Sequence, residues 1–342
     1  MARERGDLMA SSLEQLQEMT GAEVGELLRA RERTAERIAR RRELLSALDV
    51  DADATVVLMG SWGRRELTPR SDDDYMVLVR GAKGSAPPRP IPEAVGRAFA
   101  ADPSGSARPG REGIFAQVVY SADLVERVGL DDDSNTNLTR RMLLMLESVA
   151  ACNAEVLEGT RRDVIDDYLS DSVKDFRPPR FLLNDLVRYW RTIGVDFVAK
   201  DRRRAGEGWG LRNAKLRTSR KLLFASGLLP VLRCHELTAA QIPEFLAAQL
   251  ALPPTDRVAD AFLRYEDLID GAAVFSAYDR FLRMIGDEQV RAELAAIDGR
   301  AAADRSAAFA EVTQLGKVID RGLIKLLFGD GLRRVTEDYA VF

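Results

Sequence analysis

Asp72 and Asp74 stand two residues apart at the mouth of the apolar run Tyr75-Met76-Val77-Leu78-Val79. Side chains alternate across a strand, so this spacing predicts both carboxylates on one face, with Asp73 turned away. Two like charges side by side ask for a cation. Oxygen-only ligands at one edge suit Mg²⁺ or Mn²⁺, which complete their shells with water and substrate phosphates. Upstream, Gly60-Ser61 closes a second apolar run, Thr55 to Met59, and Gly63 follows two positions on. Glycines there let the backbone turn sharply and aim N–H groups outward, as phosphate-cradling loops do. Metal, triphosphate and nucleophile would then meet in one cleft.

A second constellation lies further along, where Lys200-Asp201-Arg202-Arg203-Arg204 precedes the glycine-rich stretch Gly206 to Gly210 and a basic helical pattern. Arg212, Lys215 and Ser219 fall at i, i+3 and i+7 and are predicted to share one helix face, while Leu216, Leu222 and Leu223 serve burial. Charge-assisted donors on such a face would bind phosphate oxygens, and a merely solvated basic face is the competing account. Trp209, Tyr189 and Trp190 offer surfaces on which a base could stack, although aromatics on helices more often pack a core. The single histidine, His235, excludes mechanisms that need several, such as HExxH metal sites, and is expected to be structural.

The elements that must position these residues follow from periodicity. Ser11 to Leu48 repeats apolar residues at helical spacing among alternating Glu and Arg, which predicts two N-terminal helices. Thr55–Met59 and Tyr75–Val79 read as buried strands and Ile114–Tyr120 as a third, with a short helix near Pro92–Ala101 between them. Ser121 is expected to open a helix. Beyond about Asn137 every segment reads as helix, the first over Leu138–Leu157. The fold class is therefore α+β, with helices over 1–50, a small mixed sheet over 51–134, and an all-α part over 135–342.

The chain has 342 residues, with Lys+Arg 50 against Asp+Glu 54 and a net charge of −4, so no overall positive field drives non-specific nucleic-acid binding. Cys152 and Cys234 lie far apart without CxxC companions, which argues against a zinc site or disulfide framework and fits a reducing cytoplasm. The first residues, with Arg3, Glu4, Arg5 and Asp7, lack an apolar stretch, so no signal peptide is expected, and no run is long enough to span a membrane.

The string Gly60-Ser61-Trp62-Gly63-Arg64-Arg65-Glu66-Leu67-Thr68-Pro69-Arg70-Ser71-Asp72-Asp73-Asp74-Tyr75 resembles the nucleotidyltransferases of the DNA polymerase β-like superfamily, marked by hG[GS] and then DxD at the start of a strand. Within it, the string is similar to the branch of uridylyl- and adenylyltransferases that modify PII and glutamine synthetase, and to the nucleotidyltransferases often found beside it. The resemblance covers residues 56 to 79. It implies that Gly60 and Ser61 hold the β- and γ-phosphates, Asp72 and Asp74 hold metals, and Arg64 adds a phosphate or substrate contact. It also implies a helical domain that completes the nucleotide cleft, with Lys215 and Ser219 clamping the triphosphate from the other side.

Family members add a third carboxylate from a later strand. In this chain Gln117 occupies the middle of the candidate strand, leaving Glu112 before it and Asp123 after it, of which Asp123 is the better placed. The expected activity is transfer of a nucleoside monophosphate from an NTP such as ATP to an acceptor hydroxyl, releasing pyrophosphate. A protein side chain is the favoured acceptor, with tRNA or a small molecule such as an aminoglycoside as alternatives. If neither acid reaches the metals, a slow enzyme or a non-catalytic nucleotide-binding interaction module is expected instead.

Overall fold

Continuous apolar runs bury both faces of a strand, and β1 (Ala54–Met59) and β2 (Tyr75–Val79) are buried along their whole length. These strands form the centre of a four-stranded mixed sheet in a computed structural model that describes residues 10–84, 87–102, 114–129, 131, 133–170 and 173–341. The order is β3-β2-β1-β4, with β3 at Val118–Tyr120 and β4 at Ser148–Ala150. β1 runs antiparallel to β2 and β4, whereas β2 and β3 are parallel.

Alternation divides the sheet's side chains between two cores. Val56, Leu58, Tyr75 and Val77 pack with Ile38 and Leu45 of the long helix α2 (Gly25–Leu45) and with Val95 and Phe99 of α3 (Pro92–Ala100). Val57, Met59, Met76 and Leu78 face the other way, into the core of the helical part. Before α2, helix α1 (Ser12–Thr20) begins at a capping box in which the Ser11 side chain accepts from Glu14 N–H and Glu14 accepts from Ser11 N–H.

After β3 come α4 (Ser121–Val125) and α5 (Asn135–Leu146), then β4 and α6 (Ala154–Leu169). The helical part continues with α7 (Arg180–Arg203), α8 (Trp209–Arg217), α9 (Ser219–Arg233), α10 (Ile242–Ala251) and α11 (Pro254–Arg264). It is completed by α12 (Leu268–Gly286), α13 (Glu288–Ala296), α14 (Arg300–Ala303), α15 (Ala307–Phe328) and the short α16 (Arg333–Thr336), which runs into a π-helical turn over Glu337–Val341. The N-terminal helices are fastened to it by aspartates: Asp256 accepts from Leu13 N–H at 3.1 Å and Asp279 from Leu27 N–H at 2.8 Å. No helix of the described residues is long and apolar enough to cross a membrane.

Three expectations about elements are corrected. The segment expected as one helix over Leu138–Leu157 is a helix, a strand and the start of another helix, so the sheet takes its edge strand β4 from beyond residue 134. Pairing of Met59 with Ser148 and of Val57 with Ala150 holds that strand against β1. The strand expected over Ile114–Tyr120 is only Val118–Tyr120, because Ala116 adopts φ 53 and breaks the extended run. The basic helix expected to carry Arg212, Lys215 and Ser219 on one face is interrupted at Thr218, whose φ of −125 and ψ of −90 separate α8 from α9. Glu112, the other candidate third carboxylate, lies outside the described residues.

Candidate nucleotide cleft

The turn after β1 is built by two glycines with different duties. Gly60 takes the left-handed φ of 64, and a Cβ added to it would lie 3.2 Å from Asp74 Oδ2, so the Asp74 carboxylate sits directly over this turn. A Cβ on Gly63 would lie 2.0 Å from the carbonyl oxygen of Glu147, so only glycine admits the backbone crossing between the turn and the start of β4. Trp62, fully buried, donates from Nε1 to Asp72 O at 3.0 Å and ties the turn to the acidic segment.

In that segment Asp72 and Asp74 line the cleft, while Asp73 lies buried on the opposite face. There Asp73 Oδ2 accepts from Arg41 Nη2 at 2.9 Å, and Arg41 Nη1 reaches Asp102 Oδ2 at 2.7 Å. The alternation expected from sequence is thus present. Ser71 Oγ accepts from Thr68 N–H at 2.9 Å and shapes the approach to the pair.

Gly60, Ser61, Arg64, Asp72, Asp74, Lys215 and Ser219 all line one cleft, joined by Arg220 and Arg291. Lys215 is a half-buried cation there. Burial, followed by the neighbouring charges of Arg291, Arg220 and Arg64, pushes its pKa down to about 8 against the opposing pull of Asp72. Cations crowded in this way are relieved by an anion among them. Although α8 and α9 are separate helices, Ser219 Oγ donates to Lys215 O at 3.3 Å, which keeps the two residues together.

Arg64 lines the cleft but is largely engaged: its Nε donates to Glu66 Oε2 at 2.8 Å and its Nη1 pairs with Glu147. Glu147 also accepts from Arg220 Nη1 at 2.7 Å, and Tyr278 donates to Glu66 Oε2 at 2.8 Å. Burial disfavours charge on Glu147, yet Arg220 and Arg64 outweigh it and hold the carboxyl below its ordinary range. For Glu66 burial prevails over Arg64 and Tyr278, and its pKa is raised. Glu66 Oε1 is buried and makes no hydrogen bond.

Asp123 is not part of this cleft. It is on α4, half-exposed and paired with Arg127 at 3.3 Å. The reason is topological: β2 and β3 are parallel, so Asp72 and Asp74 at the start of β2 neighbour the start of β3, whereas Asp123 follows its end. At that starting edge stand Ala116, whose N–H donates to Tyr75 O, and Gln117, whose carbonyl accepts from Val77 N–H.

A second, adjoining pocket of about 210 Å³ shares Lys215 and Arg220 with the cleft, which itself has a volume of about 80 Å³. Its walls include Phe115, Tyr189, Ile193 and Phe197. Arg212 lines it too, but pairs with Asp201 at 3.5 Å instead of entering the cleft. Trp209 packs on Phe309 with centroids 5.5 Å apart, and Trp190 stacks on Phe224 at 5.2 Å. His235 Nδ1 lies 2.8 Å from Leu232 O, a local contact remote from the cleft.

Glu66, Arg220, Tyr278 and Arg291 are cleft residues that sequence reasoning missed, as it missed Glu147, which pairs with Arg64 and Arg220. Arg220 lay within the basic run and Glu66 within the turn string, so their neighbours were a signal. Glu147, which ends α5 just before β4, carried none, because the whole segment around it reads as helix. No protein-family model matches the chain, and none of the curated proteins compared with it is a match.

Proposed function

We propose that the protein is a metal-dependent nucleotidyltransferase of the DNA polymerase β-like kind, moving a nucleoside monophosphate from an NTP to an acceptor hydroxyl, with a protein side chain as the favoured acceptor. The observation that carries this reading is the convergence of Gly60, Ser61, Asp72 and Asp74 from the sheet with Lys215 and Ser219 from the helical part on one cleft. Asp72 and Asp74 fit a hard divalent cation, since both donors are carboxylates on one face and Asp73 is committed to Arg41. Among the described residues no group of three or more His, Cys, Asp or Glu could hold a metal, so water and phosphate oxygens would fill the rest of the shell. Mg²⁺ or Mn²⁺ held there would supply charge neutralisation on the phosphates.

The chain's own groups do the positioning. Backbone N–H groups of the Gly60-Ser61 turn, with Lys215 and Ser219, would hold the β- and γ-phosphates, while Arg220 and Arg291 add positive field. The base would extend into the adjoining aromatic-walled pocket, since the cleft alone is far below the roughly 300 Å³ at which ligand sites begin. The acceptor oxygen attacks the α-phosphorus, the bond from that phosphorus to the bridging oxygen breaks, and pyrophosphate departs with the electron pair. Lys215 stabilises the charge that develops on it. Glu66, with an unpaired Oε1 and a raised proton affinity, would receive the acceptor's proton.

A second reading, a nucleotide-binding interaction module without catalysis, is favoured by one observation: Gln117, not an acid, occupies the β3 edge beside the aspartate pair. Incubation with Mg²⁺ or Mn²⁺, each α-³²P NTP and cell extract separates the two. Label entering protein, RNA or a small molecule with wild type, and not with Asp72→Ala/Asp74→Ala, is the expected result. NTP binding with no label transfer and no pyrophosphate under either metal would leave the module reading in place.

A further inference from the structure

Behind the turn that borders the cleft lies a separate cavity of about 430 Å³ whose walls carry Arg42, Arg65, Arg161 and Arg162. Glu158 and Glu244 are the acids on its walls, so cations outnumber them two to one. Most of the remaining surface is small and apolar, with Ala154, Ala247 and Ala251 among it. The arginines differ in what already holds them. Arg161 donates to Leu144 O and to the carbonyl and hydroxyl of Ser148, and Arg42 makes a long contact of 3.5 Å to Ala150 O. The side chains of Arg65 and Arg162 make no hydrogen bond or ion pair within the described residues.

Arg65 is also held in the left-handed backbone region, with φ 61, which strains a residue with a Cβ and persists only where the surroundings impose it. Burial, then the nearby charges of Arg42 and Arg31, lowers its pKa. Burial and Arg65 likewise bring Arg161 down to about 10 against the pull of Glu158. Arg65 and Arg161 are thus crowded at partial burial, with the exposed Arg42 and Arg162 on the same walls, and a multivalent anion among the four would relieve that crowding. Guanidinium forks match phosphate oxygens in pairs, and the cavity's volume is that of a small-molecule site.

We propose that this cavity is a binding site for a small organic phosphate, with Arg65 and Arg162 as its principal phosphate donors and Glu158 and Glu244 as acceptors for the ligand's hydroxyl or amino groups. The site is independent of the nucleotide cleft and of the activity assigned to it. Adjacent residues serve the two places: Arg64 and Glu147 belong to the cleft network, Arg65 and Ser148 to the cavity.

Calorimetric titration of the full chain with inorganic pyrophosphate, at low salt and without divalent metal, tests it in three proteins: wild type, Arg65→Ala/Arg162→Ala and Lys215→Ala. One bound pyrophosphate is expected to survive Lys215→Ala and to weaken at least about tenfold in the double variant, as loss of charge-assisted hydrogen bonds implies. Neither substituted arginine side chain has a partner to lose among the described residues, so thermal unfolding of the double variant should match wild type. A second pyrophosphate lost only in Lys215→Ala would report the cleft and would be distinct from this site. Unchanged binding in the double variant, or binding abolished by Lys215→Ala alone, overturns the proposal. So does failure of wild type to bind pyrophosphate while a short oligonucleotide binds through Arg65 and Arg162, which would assign these arginines to a nucleic-acid backbone.

Discussion

Three consecutive aspartates have two different duties, and their substitution should separate them. Asp73 neutralises the fully buried Arg41, so Asp73→Ala should cost about 3 kcal/mol in urea unfolding, near the low end for breaking a buried ion pair because Asp102 remains. Asp72→Ala should change stability by no more than about 0.5 kcal/mol, while abolishing metal-dependent label transfer. An equal loss of stability in both variants would contradict this division. Lys215 gives a second test. The unfolded chain keeps the Lys215 proton up to the ordinary pKa of 10.5, the folded protein only up to about 8. Between those values the unfolded state binds more protons, so the Lys215 contribution to stability rises with pH across that window. Lys215→Met should therefore be more stable than wild type at pH 7 and lose that advantage by pH 10.5. Anion affinity of wild type should fall as pH rises through about 8, and Lys215→Arg should keep its affinity at pH 9; parallel pH profiles for the two proteins would remove Lys215 from the phosphate site.

Among elements, β4 is the one least legible in the sequence. Ser148-Val149-Ala150 is short, half-polar and set between two helices, so nothing in its composition distinguishes it from them. Its strand state is imposed by pairing with β1 and by the backbone approach that Gly63 permits. Gly63→Ala is expected to destabilise the protein by about 4 kcal/mol or more in denaturant melts, because the neighbour that must move is backbone. Retained stability would mean that the Glu147 backbone can yield to a side chain at the crossing. By contrast β1, β2 and the turn between them were readable, since their apolar runs and the glycine–aspartate spacing are local signals. Asp123 was misplaced for a related reason: whether a strand's beginning or its end faces the aspartate pair depends on strand direction, and spacing along the chain does not carry direction. The break at Thr218 was similarly hidden, for the heptad-like spacing of Arg212, Lys215 and Ser219 continues across it.

At the scale of the whole molecule, the N-terminal helices are part of the body that carries the cleft. α2 covers one face of the sheet, supplies Arg41 to Asp73, and is fastened to α12 through Asp279. A fragment starting at residue 46 would expose that sheet face and strand Asp73 and Asp102 without their arginine. It should fail to give a cooperative unfolding transition under conditions where the full chain gives one. The same view separates two kinds of residue inside the turn string. Gly63 is demanded by packing whether or not any chemistry takes place, and Asp72 and Asp74 bear no comparable packing load. If the proposed transfer is this protein's activity, a descendant that abandoned it would keep the glycine and let the aspartates drift. Ancestry would then be best traced by the glycine at the backbone crossing, and retained activity by the two carboxylates opposite it.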